Sequence, residues 1–100
     1  MADAVYHDAA RVFPLPERLD KAVEEAAELI SAVQHWRGNR ITDVDLADEI
    51  ADTEIMCQHL RLVVGDGLVE VRRGIKQRRL RRMVEDAVAR LDRPDWVAPR

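Results

Sequence analysis

Residues 21–33 read KAVEEAAELISAV, and the way this stretch is read decides the fold. Leu19, Ala22, Val23, Ala26, Ile30 and Val33 recur at helical spacing around it, so the segment is predicted to be an amphipathic helix running from Glu17 to about Trp36. The same stretch holds Glu24, Glu25 and Glu28, with Lys21 the only cation beside them. Like charges three or four residues apart on a helix repel. These carboxylates either lie in water or await a cation.

On either side the helical period continues. Val5, Ala9, Val12 and Phe13 space a short N-terminal helix within residues 1–14, closed by Pro14 and Pro16. Arg37-Gly38-Asn39 stops the first long helix, and Thr42 or Asp43 can cap the next. Leu46, Ile50, Thr53, Cys57, Leu60 and Val64 carry that second helix to a break at Gly65-Asp66-Gly67. A last helix uses Leu68, Val71, Ile75, Leu80, Met83, Val84, Val88 and Leu91, with Gly74 a weak point, and residues 92–100 form an irregular tail. No period-two alternation occurs, and a lone G-x-G without a preceding strand is no phosphate loop. The expected architecture is a single all-α domain over residues 1–100, an antiparallel helical hairpin plus a C-terminal helix.

Composition narrows the function classes. With 35% charged, 47% apolar and 4% aromatic residues, the chain suits neither a disordered segment nor a β-sandwich. A single cysteine, Cys57, excludes a disulfide framework and is expected to be a small buried residue in a reducing compartment. The start has neither a basic region nor an apolar run fit for a signal peptide, and no segment reaches membrane-span length, so a cytoplasmic location is expected. Charge is unevenly spread: residues 1–60 hold 13 acidic and 5 basic side chains, a balance of −8, and residues 61–100 hold 6 and 11, a balance of +5. One half is thus suited to cations and the other to anions, or the two halves attract each other.

The second helix carries a further acidic pair, Glu49 and Asp52, again three residues apart. On a helical projection they fall among Leu46, Met56, Leu60 and Val63, within the apolar stripe, whereas Glu25 and Glu28 fall at the edge of theirs. An ionised carboxylate in an apolar seam is costly unless paired or bound to metal. The short 38–42 connection makes the two helices antiparallel neighbours, so both pairs can converge on one cation. All-oxygen donors favour a hard ion, magnesium or manganese, over zinc. A single E-x-x-E is usually a solvated face; the joint pattern E-E-x-x-E and E-x-x-D is rarer.

Glu24-Glu25-Ala26-Ala27-Glu28 and Glu49-Ile50-Ala51-Asp52, in the words EEAAELISAV and LADEIADTEIMCQHL, resemble the MazG-like all-α nucleoside triphosphate pyrophosphohydrolases over roughly residues 15–82. The resemblance implies hydrolysis of (deoxy)nucleoside triphosphates to monophosphate and pyrophosphate. It implies magnesium held by Glu25, Glu28, Glu49 and Asp52, and an accessory role, or a role toward the attacking water, for Glu24. It likewise places Glu25 with the catalytic as well as the metal residues. It also implies a four-helix-bundle core built from two subunits, hence a homodimer or tetramer.

The run VRRGIKQRRLRRM places seven basic residues within 72–82. Lys76, with Arg79 or Arg72, could reach triphosphate oxygens; the same residues could equally pair with the acidic half or lie in water. A nucleic-acid stripe is the weaker reading, because interleaved aromatics and a DNA-binding motif are lacking. Trp36 could stack on a base, although helix-end packing suits it better; Tyr6 and Trp96 have less support. His35 and His59 complete no metal pattern and read as structural or solvent-facing. Two rival functions remain: phosphoribosyl-ATP pyrophosphohydrolase of histidine biosynthesis, a relative that usually continues past E-x-x-D with a DLLYH-like stretch from which Thr53-Glu54-Ile55-Met56 departs here, and a non-catalytic helical interaction module with a basic face.

Overall fold

The computed structural model describes residues 4–93, 95 and 97–99. Four helices follow one another, α1 (Ala4–Val12), α2 (Leu15–Arg37), α3 (Asp43–Val64) and α4 (Asp66–Leu91), with no strand among the described residues. The all-α expectation holds. Trp96, and parts of the expected N-terminal segment and tail, lie outside the described residues.

Local chemistry sets each boundary. Pro14 precedes α2, and Pro16 lies inside its first turn, where a missing N–H costs nothing. At the other end Arg40 N–H donates to His35 O at 2.8 Å and Asn39 N–H to Trp36 O at 3.0 Å, a Schellman closure. The left-handed residue in it is Asn39, at φ 57°, and not Gly38. Thr42 opens α3 with a capping box: its hydroxyl accepts from Asp45 N–H at 3.2 Å, and Asp45 Oδ2 accepts from Thr42 N–H at 2.9 Å. The expected three-residue break after α3 is one residue long. Gly65, at φ 109°, makes the turn alone, and Asp66 already belongs to α4. Arg61 Nε donates to Asp66 Oδ1 at 2.6 Å across that turn.

The chain divides into two compact units at Asp66/Gly67. In the first, α2 and α3 form an antiparallel hairpin and α1 packs on α3. The face of α2 turned inward is Arg18, Ala22, Glu25, Leu29 and Ala32, each buried or half-buried. It meets Leu46, Glu49, Thr53, Met56 and Leu60 of α3, all half-buried and spaced in the same three-and-four rhythm. This corrects the sequence reading of α2. The more apolar stripe of Leu19, Val23, Ile30 and Val33 is exposed, with Val23 at 71% and Ile30 at 68%. Small Ala22 and Ala32 let the hairpin close on the other face, since interaxial distance follows the side chains at the contact. Cys57, expected to be buried, is exposed on α3. Only Ala32 and Glu25 are buried among the described residues, so one copy encloses almost no core.

The second unit contains α4, which runs through Gly74 without interruption and has no buried residue. No described helix is long and apolar enough to cross a membrane.

Candidate metal centre

The two heptad faces of the hairpin each place a glutamate in the seam. Glu25 of α2 is 6% exposed, and Glu49 of α3 is half-buried opposite it. Asp52, one turn beyond Glu49, is exposed at the edge of the same group. One carboxylate oxygen from each of the three lies within 4.8 Å of the others. Burial of Glu25 exceeds the sequence expectation, which put it at the edge of an apolar face. The signal was present in the spacing Ala22–Glu25–Leu29–Ala32, hidden by the stronger hydrophobicity of the neighbouring stripe.

Hydrogen bonding leaves this group incomplete. Lys21 Nζ lies 3.0 Å from Glu25 Oε1 and 3.7 Å from Glu24. The other oxygen of Glu25, Oε2, is buried with no hydrogen-bond partner, as is Glu49 Oε2. Buried acceptors of this kind carry an uncompensated desolvation cost, of order 1–3 kcal/mol or more for a charged group. The three carboxylates fit a hard divalent cation by donor type. Adjacent ligand oxygens of an octahedral magnesium stand about 3 Å apart and opposed ones about 4 Å, so these oxygens, within 4.8 Å of one another, must draw closer to close on one ion.

Glu28, the fourth expected ligand, is exposed and outside the trio. It still feels them: its pKa is raised, first by the charge of Glu25, then by desolvation and by Glu49 and Glu24, with Lys21 opposing. With Glu49, Ser31, His35 and Asp45 it lines a hollow of about 240 Å³ toward the hairpin turn. Glu24 is exposed beside Lys21, whose own pKa is raised by its hydrogen bond to Glu25 and by the charge of Glu24.

Trp36 lies at the far end of α2, eleven residues from Glu25, or roughly 16 Å along the axis. Its indole N–H donates to Asp43 Oδ1 at 2.8 Å, tying the end of α2 to the start of α3. That contact matches the helix-end role. Arg72, Lys76 and Arg79 belong to the second unit, exposed on α4 at a spacing that aligns them on one face.

A second feature of this unit is not legible in the sequence. α1 folds onto α3 so that Tyr6 meets His59 edge to face, with ring centroids 5.1 Å apart at 87°. His59 Nδ1 is buried there with no hydrogen-bond partner. Only the placement of α1, which its own sequence does not dictate, brings these rings together. Compared with protein-family models, curated proteins and solved structures, the chain matches none.

Proposed function

We propose that this chain is a magnesium-dependent nucleoside triphosphate pyrophosphohydrolase. The observation that carries the reading is the pair of buried, unpartnered oxygens on Glu25 and Glu49, brought together with Asp52 across the hairpin. Glu25, Glu49 and Asp52 would hold the ion, with Glu28 joining from the rim; manganese would suit the same donors. A bound divalent ion there supplies Lewis-acid polarisation of a phosphoryl oxygen and neutralises charge on the leaving pyrophosphate.

The chain's own groups divide the remaining work. Lys21, already on Glu25, limits like-charge repulsion until the ion arrives. Glu24, exposed one residue along, is the carboxylate available to take the proton of the water that attacks the α-phosphorus. Attack breaks the bond to the bridging oxygen between the α and β phosphates and leaves monophosphate and pyrophosphate. Arg72, Lys76 and Arg79 supply one cationic face for triphosphate oxygens.

A homodimer or tetramer completes the core in this reading. The exposed stripe of Leu19, Val23, Ile30 and Val33 is the surface that a second hairpin covers to make a four-helix bundle. The enzyme works in the cytoplasm on the nucleotide pool. Light scattering at micromolar concentration should give a dimer or tetramer, and a clean monomer would count against this architecture.

Product analysis tests the chemistry. The protein is incubated with magnesium and each common ribo- and deoxynucleoside triphosphate, beside Glu49→Gln. Monophosphate plus pyrophosphate, lost in the variant, is expected. Preference for phosphoribosyl-ATP would move the assignment to histidine biosynthesis, and no turnover of any of these would favour a non-catalytic bundle.

A further inference from the structure

A hollow of about 510 Å³ lies between α1, the start of α2 and the second half of α3. Its walls are mostly apolar, from Phe13, Ile55 and Met56, together with the rings of Tyr6 and His59. Lys21 lines it too, and the same Lys21 touches Glu25 of the acidic group. Met56 stands one turn beyond Asp52, and Lys21 one turn before Glu25. The hollow therefore begins about one helical turn, roughly 5–6 Å, from the carboxylates.

We propose that this hollow receives the heterocyclic base of the nucleotide, with His59 Nδ1 reading the edge of the base and Lys21 marking the phosphate end. The proposal rests on the function argued above and assigns the base side of that site. A base has two apolar faces and a polar edge, so it needs apolar walls and a few placed polar atoms. His59 Nδ1 is such an atom: it is buried and without a partner in the protein, a desolvation cost that a bound base relieves. An imidazole nitrogen donates or accepts according to tautomer, and so can pair with a carbonyl, a ring nitrogen or an amino group. Tyr6 packs against the imidazole in a T-shaped arrangement and so restrains its plane. Phe13, half exposed at the wall, offers a face for stacking. Lys21 gives the phosphate end a positive charge at the rim.

The test follows the imidazole resonances of His59 by NMR in the full chain during titration with nucleosides, nucleoside monophosphates and, as a phosphate-only probe, inorganic tripolyphosphate, each with and without magnesium. At least one nucleoside or monophosphate should shift His59, and tripolyphosphate should not. His59→Phe keeps a ring but removes the polar atom, and should weaken nucleotide binding about tenfold or more while leaving tripolyphosphate binding and magnesium stabilisation unchanged. His59→Asn, which returns a polar atom near Nδ1, should recover part of the loss. Magnesium-dependent nucleotide binding that leaves His59 unmoved, or equal binding by His59→Phe, overturns the base site and spares the metal centre. Shifts of His59 that follow protein concentration and not ligand also overturn it, assigning the hollow to a second copy. A nucleoside that shifts His59 in a protein indifferent to magnesium supports the base site and removes the hydrolase. Absence of any binding overturns both.

Discussion

The α2–α3 hairpin and α4 are both long, densely charged helical segments of opposite sign, and they treat their charge differently. In the hairpin, Glu25 is buried and Glu49 half-buried, each with an oxygen that no protein group satisfies. On α4, Arg72, Lys76 and Arg79 are exposed, and the helix buries nothing. Charge density is common to the two regions; only the hairpin holds charge in a place where water cannot solvate it. A basic run on an exposed helix is satisfied by solvent whether or not it has a ligand. Two facing carboxylates that each bury an oxygen without a partner are not, and that difference sets the acidic group apart from α4.

The largest effects should therefore come from the hairpin. Glu49→Gln or Asp52→Asn is expected to lower turnover by about 10²–10³-fold, measured as pyrophosphate release at saturating magnesium. On α4, replacing Lys76 or Arg79 by Ala is expected to raise KM about tenfold for one lost charged contact to phosphate, with kcat little changed. An equal loss of kcat from either α4 variant would dissolve the contrast between the regions.

Smaller effects separate two carboxylates of the hairpin by pH. Glu28 has its pKa raised above the ordinary 4.5, so the folded chain holds that proton to higher pH than the unfolded one. Stability of the metal-free protein should fall as pH rises from 4.5 through the raised value, and magnesium should flatten the fall. Asp45, hydrogen-bonded by the backbone and hydroxyl of Thr42, has its pKa lowered below the ordinary 3.8. Its contribution is present above 3.8 and is lost as pH falls through the lowered value. Thermal melts across pH, with Glu28→Gln and Asp45→Asn each removing one of the two slopes, check both signs. Thr42→Ala should cost about 1 kcal/mol through the lost cap, without altering the response to magnesium.

Much of the fold was legible because local chemistry fixed it. Pro14 and Pro16, Thr42 with Asp45, and the Gly65 turn mark boundaries that need no tertiary information. The acidic trio was legible in part: i, i+3 spacing on neighbouring antiparallel helices pointed to Glu25, Glu49 and Asp52, but Glu28, expected with them, lies outside because the inward turn of α2 buries Glu25 and leaves Glu28 exposed. The inward face of α2 was not. Hydrophobicity pointed to Leu19, Val23, Ile30 and Val33, but small Ala22 and Ala32 decided which face closes on α3. The exposed position of Cys57 has the same origin, because a periodic apolar pattern does not say which of its members finds a neighbour within one copy. His59 was read as an ordinary histidine because its environment is made by α1, whose packing on α3 is a long-range contact.

The central claim is that Glu25, Glu49 and Asp52 form a divalent cation site, and a magnesium titration followed by thermal unfolding tests it most directly. At a hundred times Kd a bound ion stabilises by about 2.7 kcal/mol, which for a domain of this size raises Tm by roughly 10–20 °C. Wild type should show that rise. Glu49→Gln should melt higher than wild type without metal, because a buried like charge is gone, and should not respond to magnesium. Equal magnesium responses in the two proteins, or none in either, would contradict the metal centre.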